Sequence, residues 1–104
     1  MAKKKKLKKK KRAAKPKVKP VWHVYLLRCG DKSLYCGMTN ELDARVKKHQ
    51  AGLGAKYTRS HLPVKLAYAE KVRNRSAALK REYAIKQLTR HEKDRLIKEA
   101  AVRK

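Results

Sequence analysis

The sequence predicts an α+β domain in which a small three-stranded antiparallel sheet is flanked by helices. Two runs rich in β-branched, aromatic and aliphatic residues, 21–29 and 34–38, are separated by a Gly-Asp-Lys-Ser turn, which is the pattern of a β-hairpin. A third run of this kind, 64–72, lies between segments with helical periodicity. Because 104 residues suffice for one domain at most, the order β-β-α-β-α-α describes the whole folded part.

Three helices are predicted, each from a boundary signal beside a periodic apolar pattern. Asn40 is well placed to cap the first helix, which ends at Gly52. Thr89 and Glu92 match a capping box and start the third. The segment 52–63, with two glycines and a proline, is predicted to be a loop. The helices are therefore expected at about 41–51, at about 76–88, and from 89 toward the C terminus.

The chain is strongly basic, with 32 Lys and Arg against 8 Asp and Glu and a formal charge of +24. Such an excess predicts a polyanionic partner. Nucleic acid fits best, because neutralised phosphates release their counterions; an anionic membrane surface is the second choice. We expect DNA, with RNA as the alternative, and no membrane association. No run of about 20 apolar residues and no secretory signal is present, so we expect a cytoplasmic protein, nucleoid-associated in a bacterium and nuclear in a eukaryote.

Residues 1–20 form a basic arm that we predict to be disordered. The arm holds 12 basic residues and no acidic one, and it is low in complexity. Its expected task is to bind phosphates, although a solubilising segment and a nuclear-localisation signal are alternatives. The arm residues expected to contact nucleic acid are Lys3, Lys4, Lys5, Lys6, Lys8, Lys9, Lys10, Lys11 and Arg12. Residues 21–104 then form the folded domain, with a net charge of +12.

Two charged side chains of the first helix border its apolar stripe. With Leu42 at zero on the helical wheel, His49 lies at about 340° and Arg45 at about 300°. Arginine is seldom buried without a partner, so the inward-leaning guanidinium indicates a site for an anion.

The second helix carries a carboxylate inside its predicted apolar arc. With Leu79 at zero, Tyr83 falls near 40°, Ile85 near 240° and Glu82 near 300°. Glu82 could meet a substrate group, form an ion pair with Arg45, or form a surface pair with Lys86. The pattern leaves these three alternatives open.

Five elements in fixed order together resemble the GIY-YIG nuclease domain. They are "HVYLL" at 23–27, "LYCGMT" at 34–39 with Tyr35 ten residues after Tyr25, Arg45 ten residues later, His49 one turn beyond, and Glu82 on a later helix. The resemblance covers residues 21 to about 98 and is greatest to the small stand-alone bacterial members of the YhbQ type. The sequence departs from the family pattern at His23 and Val24, in place of Gly and Ile, at Cys36, in place of Ile, and at Met38, where several members carry a lysine.

The resemblance implies a metal-dependent endonuclease that hydrolyses DNA phosphodiester bonds, in DNA repair or recombination. Tyr25 and Tyr35 would reach the scissile phosphate, one of them helping to deprotonate the attacking water. Arg45 would stabilise the developing charge, and His49 would orient groups or relay protons. Glu82 would hold one divalent cation, Mg²⁺ or Mn²⁺, which accepts a single carboxylate together with phosphate oxygens and water.

Four basic residues and a tyrosine near these positions are predicted to contact nucleic acid. They are Lys47 and Lys48 on the first helix, and Lys56, Tyr57 and Arg59 in the loop, where an aromatic ring among cations suits a single strand. The alternative function is a non-catalytic binding module on the same fold, acting on DNA or associated with RNA or the ribosome. No organic cofactor is expected, and a monomer is favoured.

Overall fold

The computed structural model describes residues 21–103 and confirms the α+β fold. The three strands are β1 (Trp22–Arg28), β2 (Leu34–Thr39) and β3 (Lys65–Val72), paired antiparallel with β1 in the centre. The four helices are α1 (Leu42–Gln50), α2 (Lys56–Arg59), α3 (Arg75–Lys86) and α4 (Arg90–Arg103). The predicted arm, residues 1–20, lies outside the described residues. Within them no helix is long and apolar enough to cross a membrane.

The central strand β1 supplies a core to each face of the sheet. Its residues alternate between the faces, so Val24 and Leu26 point away from Tyr25 and Leu27. One core packs Val24 and Leu26 against α3, and the other packs Tyr25 and Leu27 against Val64 and the inner side of α1. In register, Tyr25 lies opposite Gly37 of β2 and Ala69 of β3. The strand pairing thus places Tyr25 in the middle of the face that α1 covers.

The first helix begins one residue later than predicted. Its N-cap is Glu41, which makes no side-chain capping bond, so the prediction that Asn40 caps this helix is wrong. The hydroxyl of Thr39 instead accepts a hydrogen bond from the Glu41 N–H at 3.0 Å. The Thr39 hydroxyl therefore fixes the turn that leads into α1, but it does not cap the N–H groups of the first helical turn.

The segment predicted as a loop, 52–63, contains the single-turn helix α2. Four residues are too few to show helical periodicity, so the pattern gave no signal for this turn. The prediction of an uninterrupted loop is wrong at these four positions.

The buried face of α3 differs from the predicted one. Ala78 and Ile85 are fully buried, whereas Leu79 and Tyr83 are 44% and 68% exposed. The apolar arc built around Leu79 is therefore wrong, because a small alanine lets the helix approach the sheet and the larger side chains lie outside. Glu82 lies at the border of the buried face, with its side chain 20% exposed.

The starts of α3 and α4 have capped geometry. Asn74 caps α3, its side chain accepting from the Ala77 N–H at 2.8 Å. At α4, the Thr89 hydroxyl accepts from the Glu92 N–H at 3.1 Å and the Glu92 carboxylate accepts from the Thr89 N–H at 2.9 Å. The capping box predicted at the start of the last helix is thus confirmed.

Candidate active site

A buried tyrosine–histidine pair forms the centre of the candidate site. The Tyr25 hydroxyl lies 3.0 Å from Nε2 of His49, which joins the central strand to α1. Tyr25 is 1% exposed and His49 is fully buried. The two residues that the sequence placed on a strand and on a helix face are therefore in direct contact, although neither opens onto solvent.

The other side of the His49 ring contacts the segment that follows α1. Its Nδ1 lies 2.7 Å from the hydroxyl of Thr58, a fully buried residue of α2, and that hydroxyl also lies 3.0 Å from the Ala55 carbonyl oxygen. The Ala55 N–H reaches the same ring nitrogen at 3.4 Å, which is long for a hydrogen bond. His49 is thus held at both ring nitrogens.

Two glycines make room for these rings. A Cβ atom at Gly37 would lie 2.5 Å from the Tyr25 hydroxyl oxygen, and one at Gly54 would overlap the His49 ring at Nδ1. Both positions therefore need glycine because the backbone approaches an aromatic ring too closely for any side chain.

Burial shifts the protonation of both rings toward the neutral forms. It raises the pKa of the Tyr25 phenol, a shift that the neighbouring Arg45 guanidinium partly opposes. Burial and, secondarily, the charge of Arg45 lower the pKa of His49. At neutral pH the pair is consequently a protonated phenol beside a neutral imidazole.

Tyr35 lies beside this pair and begins a row of aromatic rings. Its centroid is 5.3 Å from that of His49 and 6.1 Å from that of Tyr57, which in turn stacks on His61 at 4.1 Å. The Tyr57 hydroxyl donates to Ser33 at 2.6 Å, which ties α2 to the hairpin turn. Tyr35 is only partly buried, so it is the phenol of the site that faces outward.

Arg45 lies at the edge of the site, on the turn of α1 before His49. No ion pair of Arg45 is found among residues 21–103, and its side chain lines an open hollow of about 220 Å³ together with Lys48, Thr39 and Asn40. Glu41 and Ala44 complete the lining. Two cations beside a hollow that contains one carboxylate make this the side from which an anion can approach.

Glu82 lies on the opposite side of the edge strand β2. Its carboxylate is 3.5 Å from the Lys86 ammonium group, which is the surface pair left open by the sequence. The neighbouring thiol of Cys36 has its pKa raised to about 11 by burial and, secondarily, by the Glu82 charge. The structure thus brings Tyr25, Tyr35, Arg45 and His49 together, while Glu82 lies beside the residue next to Tyr35 on the other sheet face.

The four basic residues and the tyrosine predicted to bind nucleic acid surround the site without forming part of its buried centre. Lys47, Lys48, Lys56, Tyr57 and Arg59 are all exposed on α1 and α2. The corresponding residues of the arm lie outside the described residues.

Two contributors to the site escaped the sequence analysis. Thr58 is a short polar residue in a segment predicted to be a loop, and nothing in its spacing indicates a contact with His49. Gly54 belongs to the Gly-Leu-Gly run, where two glycines close together are a weak signal of close backbone approach.

Comparison with known proteins finds one matching domain family and several small relatives. The family model of the GIY-YIG catalytic domain matches residues 21–95. A UPF0213 protein of Clostridium perfringens is 51% identical over 81 residues, which cover 78% of this chain and 87% of that protein. A UPF0213 protein of Staphylococcus aureus is 54% identical over 76 residues, covering 73% and 93%.

Solved structures of similar proteins support the fold. The solution structure of a protein from E. faecalis is 41% identical, has a TM-score of 0.56, and covers 81% of this chain and 90% of its own. That of a UPF0213 protein from Bacillus halodurans is 40% identical, with a TM-score of 0.50 and coverage of 75% and 83%.

Proposed function

The chain belongs to the GIY-YIG family, and on that basis we propose that it is a metal-dependent endonuclease that hydrolyses DNA phosphodiester bonds. The observation that supports this most is the contact of Tyr25 with His49 in the same cluster as Tyr35 and Arg45. Phosphodiester hydrolysis needs an oriented water and a cation for the charge that develops on the phosphate oxygens. The partly exposed phenol of Tyr35 and the guanidinium of Arg45, which both lie near Tyr25, offer these two functions.

The two tyrosines differ in solvent exposure, and we propose a different role for each. Tyr25 is buried and its pKa is raised, so it is a poor candidate for the group that deprotonates water. Tyr35 is partly exposed on the edge strand β2 and is therefore the phenol that we place next to the attacking water. Tyr25 and His49 then support Tyr35 and Arg45 from beneath.

Arg45 is the residue that we propose to hold the scissile phosphate. Its guanidinium lies beside the Tyr25 hydroxyl, and no acidic partner occupies it within residues 21–103. A planar fork donates two parallel hydrogen bonds to phosphate oxygens, which an ammonium group cannot do.

Glu82 is the residue that we propose to hold a divalent cation, Mg²⁺ or Mn²⁺. Its donor chemistry fits, because hard cations prefer carboxylate oxygens and keep several waters. Among residues 21–103 no cluster of three or more His, Cys, Asp or Glu side chains could form a complete protein cage. Substrate phosphate oxygens and water would therefore complete the shell, and the bound cation would neutralise phosphate charge. Because Glu82 and Tyr35 lie on opposite faces of the edge strand β2, the phosphate would have to lie at that edge to reach both.

Plasmid nicking by the purified full-length chain tests the function. We expect supercoiled DNA to become open circles with Mg²⁺ and to stay intact with a chelator. Tyr35→Phe should abolish nicking, whereas Tyr83→Phe, which changes a 68% exposed tyrosine on α3, should leave it unchanged. Binding without divalent-dependent nicking would instead identify a non-catalytic nucleic-acid-binding module.

The preferred substrate requires a second experiment. Flap, junction, single-stranded and duplex oligonucleotides, each in DNA and RNA form, should be compared at equal salt, because phosphate contacts make affinity salt-dependent. Faster cleavage of flaps or junctions than of plain duplex would support a part in repair or recombination. Equal rates on all DNA forms would argue against it.

A further inference from the structure

The hydrogen atoms available around His49 determine which of its ring nitrogens carries the proton. The Thr58 hydroxyl has one hydrogen and two neighbours, Nδ1 of His49 at 2.7 Å and the Ala55 carbonyl oxygen at 3.0 Å. A carbonyl only accepts, so the hydroxyl must donate to it if both contacts are hydrogen bonds. The threonine oxygen then accepts a hydrogen from Nδ1 at 2.7 Å. The Ala55 N–H also points at Nδ1 and would favour a bare nitrogen there, but at 3.4 Å it is the weaker of the two contacts.

The hydrogen bond at the other ring nitrogen fits the same tautomer. With Nδ1 protonated, Nε2 of neutral His49 is bare and accepts from the Tyr25 hydroxyl at 3.0 Å. With the opposite tautomer, Nε2 would donate to Tyr25, and the buried Tyr25 hydrogen would be left without an acceptor, because within residues 21–103 the hydroxyl hydrogen-bonds to Nε2 of His49 and the nearby Arg45 guanidinium only donates. Leaving a buried hydroxyl hydrogen unsatisfied is unfavourable.

We propose that Thr58 is a positioning residue that fixes His49 in the Nδ1-protonated tautomer, so that Nε2 accepts the Tyr25 hydroxyl hydrogen. The chain of bonds runs from Tyr25 through His49 and Thr58 to the Ala55 carbonyl. Because a carbonyl ends it, the chain offers no path for a proton to leave through Thr58. Its effect is to orient the Tyr25 phenol and the His49 ring beneath Tyr35 and Arg45.

This inference deepens the proposed function, since it matters for turnover only if the cluster is an active site. The tautomer itself is a property of the folded chain and can be measured without substrate. Failure of the proposed function and failure of this inference therefore give different results.

The first test is the histidine spectrum of the ¹⁵N-labelled full-length chain near neutral pH. Two-bond proton–nitrogen correlations identify which imidazole nitrogen is protonated, and the other three histidines are assigned with His23→Gln, His61→Gln and His91→Gln. We expect protonated Nδ1 and bare Nε2 at His49 in the native chain. Protonated Nε2 there would overturn the proposal, whatever the variants of Thr58 do.

The second test compares two substitutions at Thr58. Thr58→Val keeps the shape and removes the acceptor, so His49 should shift to the Nε2-protonated tautomer or to a mixture. Thr58→Ser keeps the hydroxyl and should retain the native tautomer. A Thr58→Val chain that folds and keeps native Nδ1 protonation would show that Thr58 does not fix it.

Nicking kinetics supply a readout that connects the tautomer to catalysis. We expect Thr58→Val to lower kcat by about ten- to a hundredfold with little change in KM, in line with the loss of one buried hydrogen bond, and Thr58→Ser to restore most of the rate. Thr89→Val is the matched control, because it removes a threonine hydroxyl that caps α4 far from His49. An equal rate loss in Thr89→Val would show that lowered stability, not the tautomer, causes the effect.

Discussion

At the scale of single residues, Arg45 determines the electrostatics of the site. Its positive charge lowers the pKa of both Tyr25 and His49, against burial in the first case and together with it in the second. His49 therefore stays neutral, and the guanidinium is the charged group at the centre of the cluster. The neutral Tyr25–His49 pair lies beneath Arg45, which has no acidic partner among the described residues. This arrangement suits an incoming phosphate.

Replacing Arg45 should separate catalysis from binding. A group that stabilises charge developing in the transition state lowers turnover more than affinity when it is removed. We expect Arg45→Ala to reduce kcat by roughly 10²- to 10³-fold, and Arg45→Lys to recover little because it lacks the planar fork. Single-turnover nicking with saturating plasmid measures the effect.

Lys48 provides the comparison for Arg45, because it lines the same hollow but is exposed. Lys48→Ala should weaken DNA binding by a small factor and leave kcat nearly unchanged. If Arg45→Ala behaved in the same way, Arg45 would be a phosphate-positioning residue and not the clamp for the transition state.

Glu82→Gln tests the proposed cation ligand with little change in shape. The substitution removes a charge paired with Lys86 at 3.5 Å, and a partly exposed i, i+4 pair of this type contributes about 1 kcal/mol or less to stability. We expect a folded protein with unchanged or higher DNA affinity and no Mg²⁺-dependent nicking. Asp94→Asn, which removes the carboxylate of an exposed pair with Arg90, should nick normally. Full activity in Glu82→Gln would exclude it as a ligand.

At the scale of elements, the sequence predicted the features that depend on local residue pattern and missed those that depend on tertiary contacts. The hairpin, the third strand and the capping box follow from alternation and from short polar signals, and all three are found. The inner face of α3 was predicted wrongly, because Leu79 is more hydrophobic than Ala78 and was therefore placed inside. In the structure α3 packs closely against the sheet, and the smaller Ala78 is the buried residue. Thr58 was missed for a related reason, since its contact with His49 depends on how α2 folds back on α1.

The segment between α1 and α2 should be sensitive at Gly54. A Cβ there would overlap the His49 ring, so Gly54→Ala should destabilise the domain by about 1 to 3 kcal/mol and lower nicking by displacing the ring. Thermal unfolding and nicking below both melting temperatures measure the two effects.

Gly52 is the matched control for Gly54. Its φ of +81° makes alanine unfavourable, yet the nearest atom to a Cβ is the Leu62 side chain at 3.5 Å. Gly52→Ala should therefore lower stability while the nicking rate of the folded protein stays unchanged. A similar loss of rate in both variants would show that the segment, and not the His49 ring, is what the Gly54 substitution disturbs.

At the scale of the whole molecule, half of the net charge belongs to residues 1–20, which contain no residue of the candidate site. Residues 1–20 contribute +12 of the total +24 and hold none of the residues proposed for catalysis. The described part carries its own exposed cations around the site, including Lys47, Lys48, Lys56 and Arg59. We therefore expect the two parts to contribute differently, the arm to nonspecific affinity and the domain to chemistry.

Deleting residues 1–20 should weaken DNA binding and flatten its dependence on salt. Each phosphate contact on duplex contributes a slope of roughly −0.9 in log affinity against log salt, so the loss of about four to eight contacts should change the slope by about 4 to 7. The isolated domain should fold, because both cores lie within residues 21–103, and it should nick plasmid at low salt, where its remaining charge is less screened. Binding isotherms at several salt concentrations, with nicking at saturating DNA, measure both effects. An unchanged slope, or a folded domain that is inactive at low salt, would contradict this division of labour.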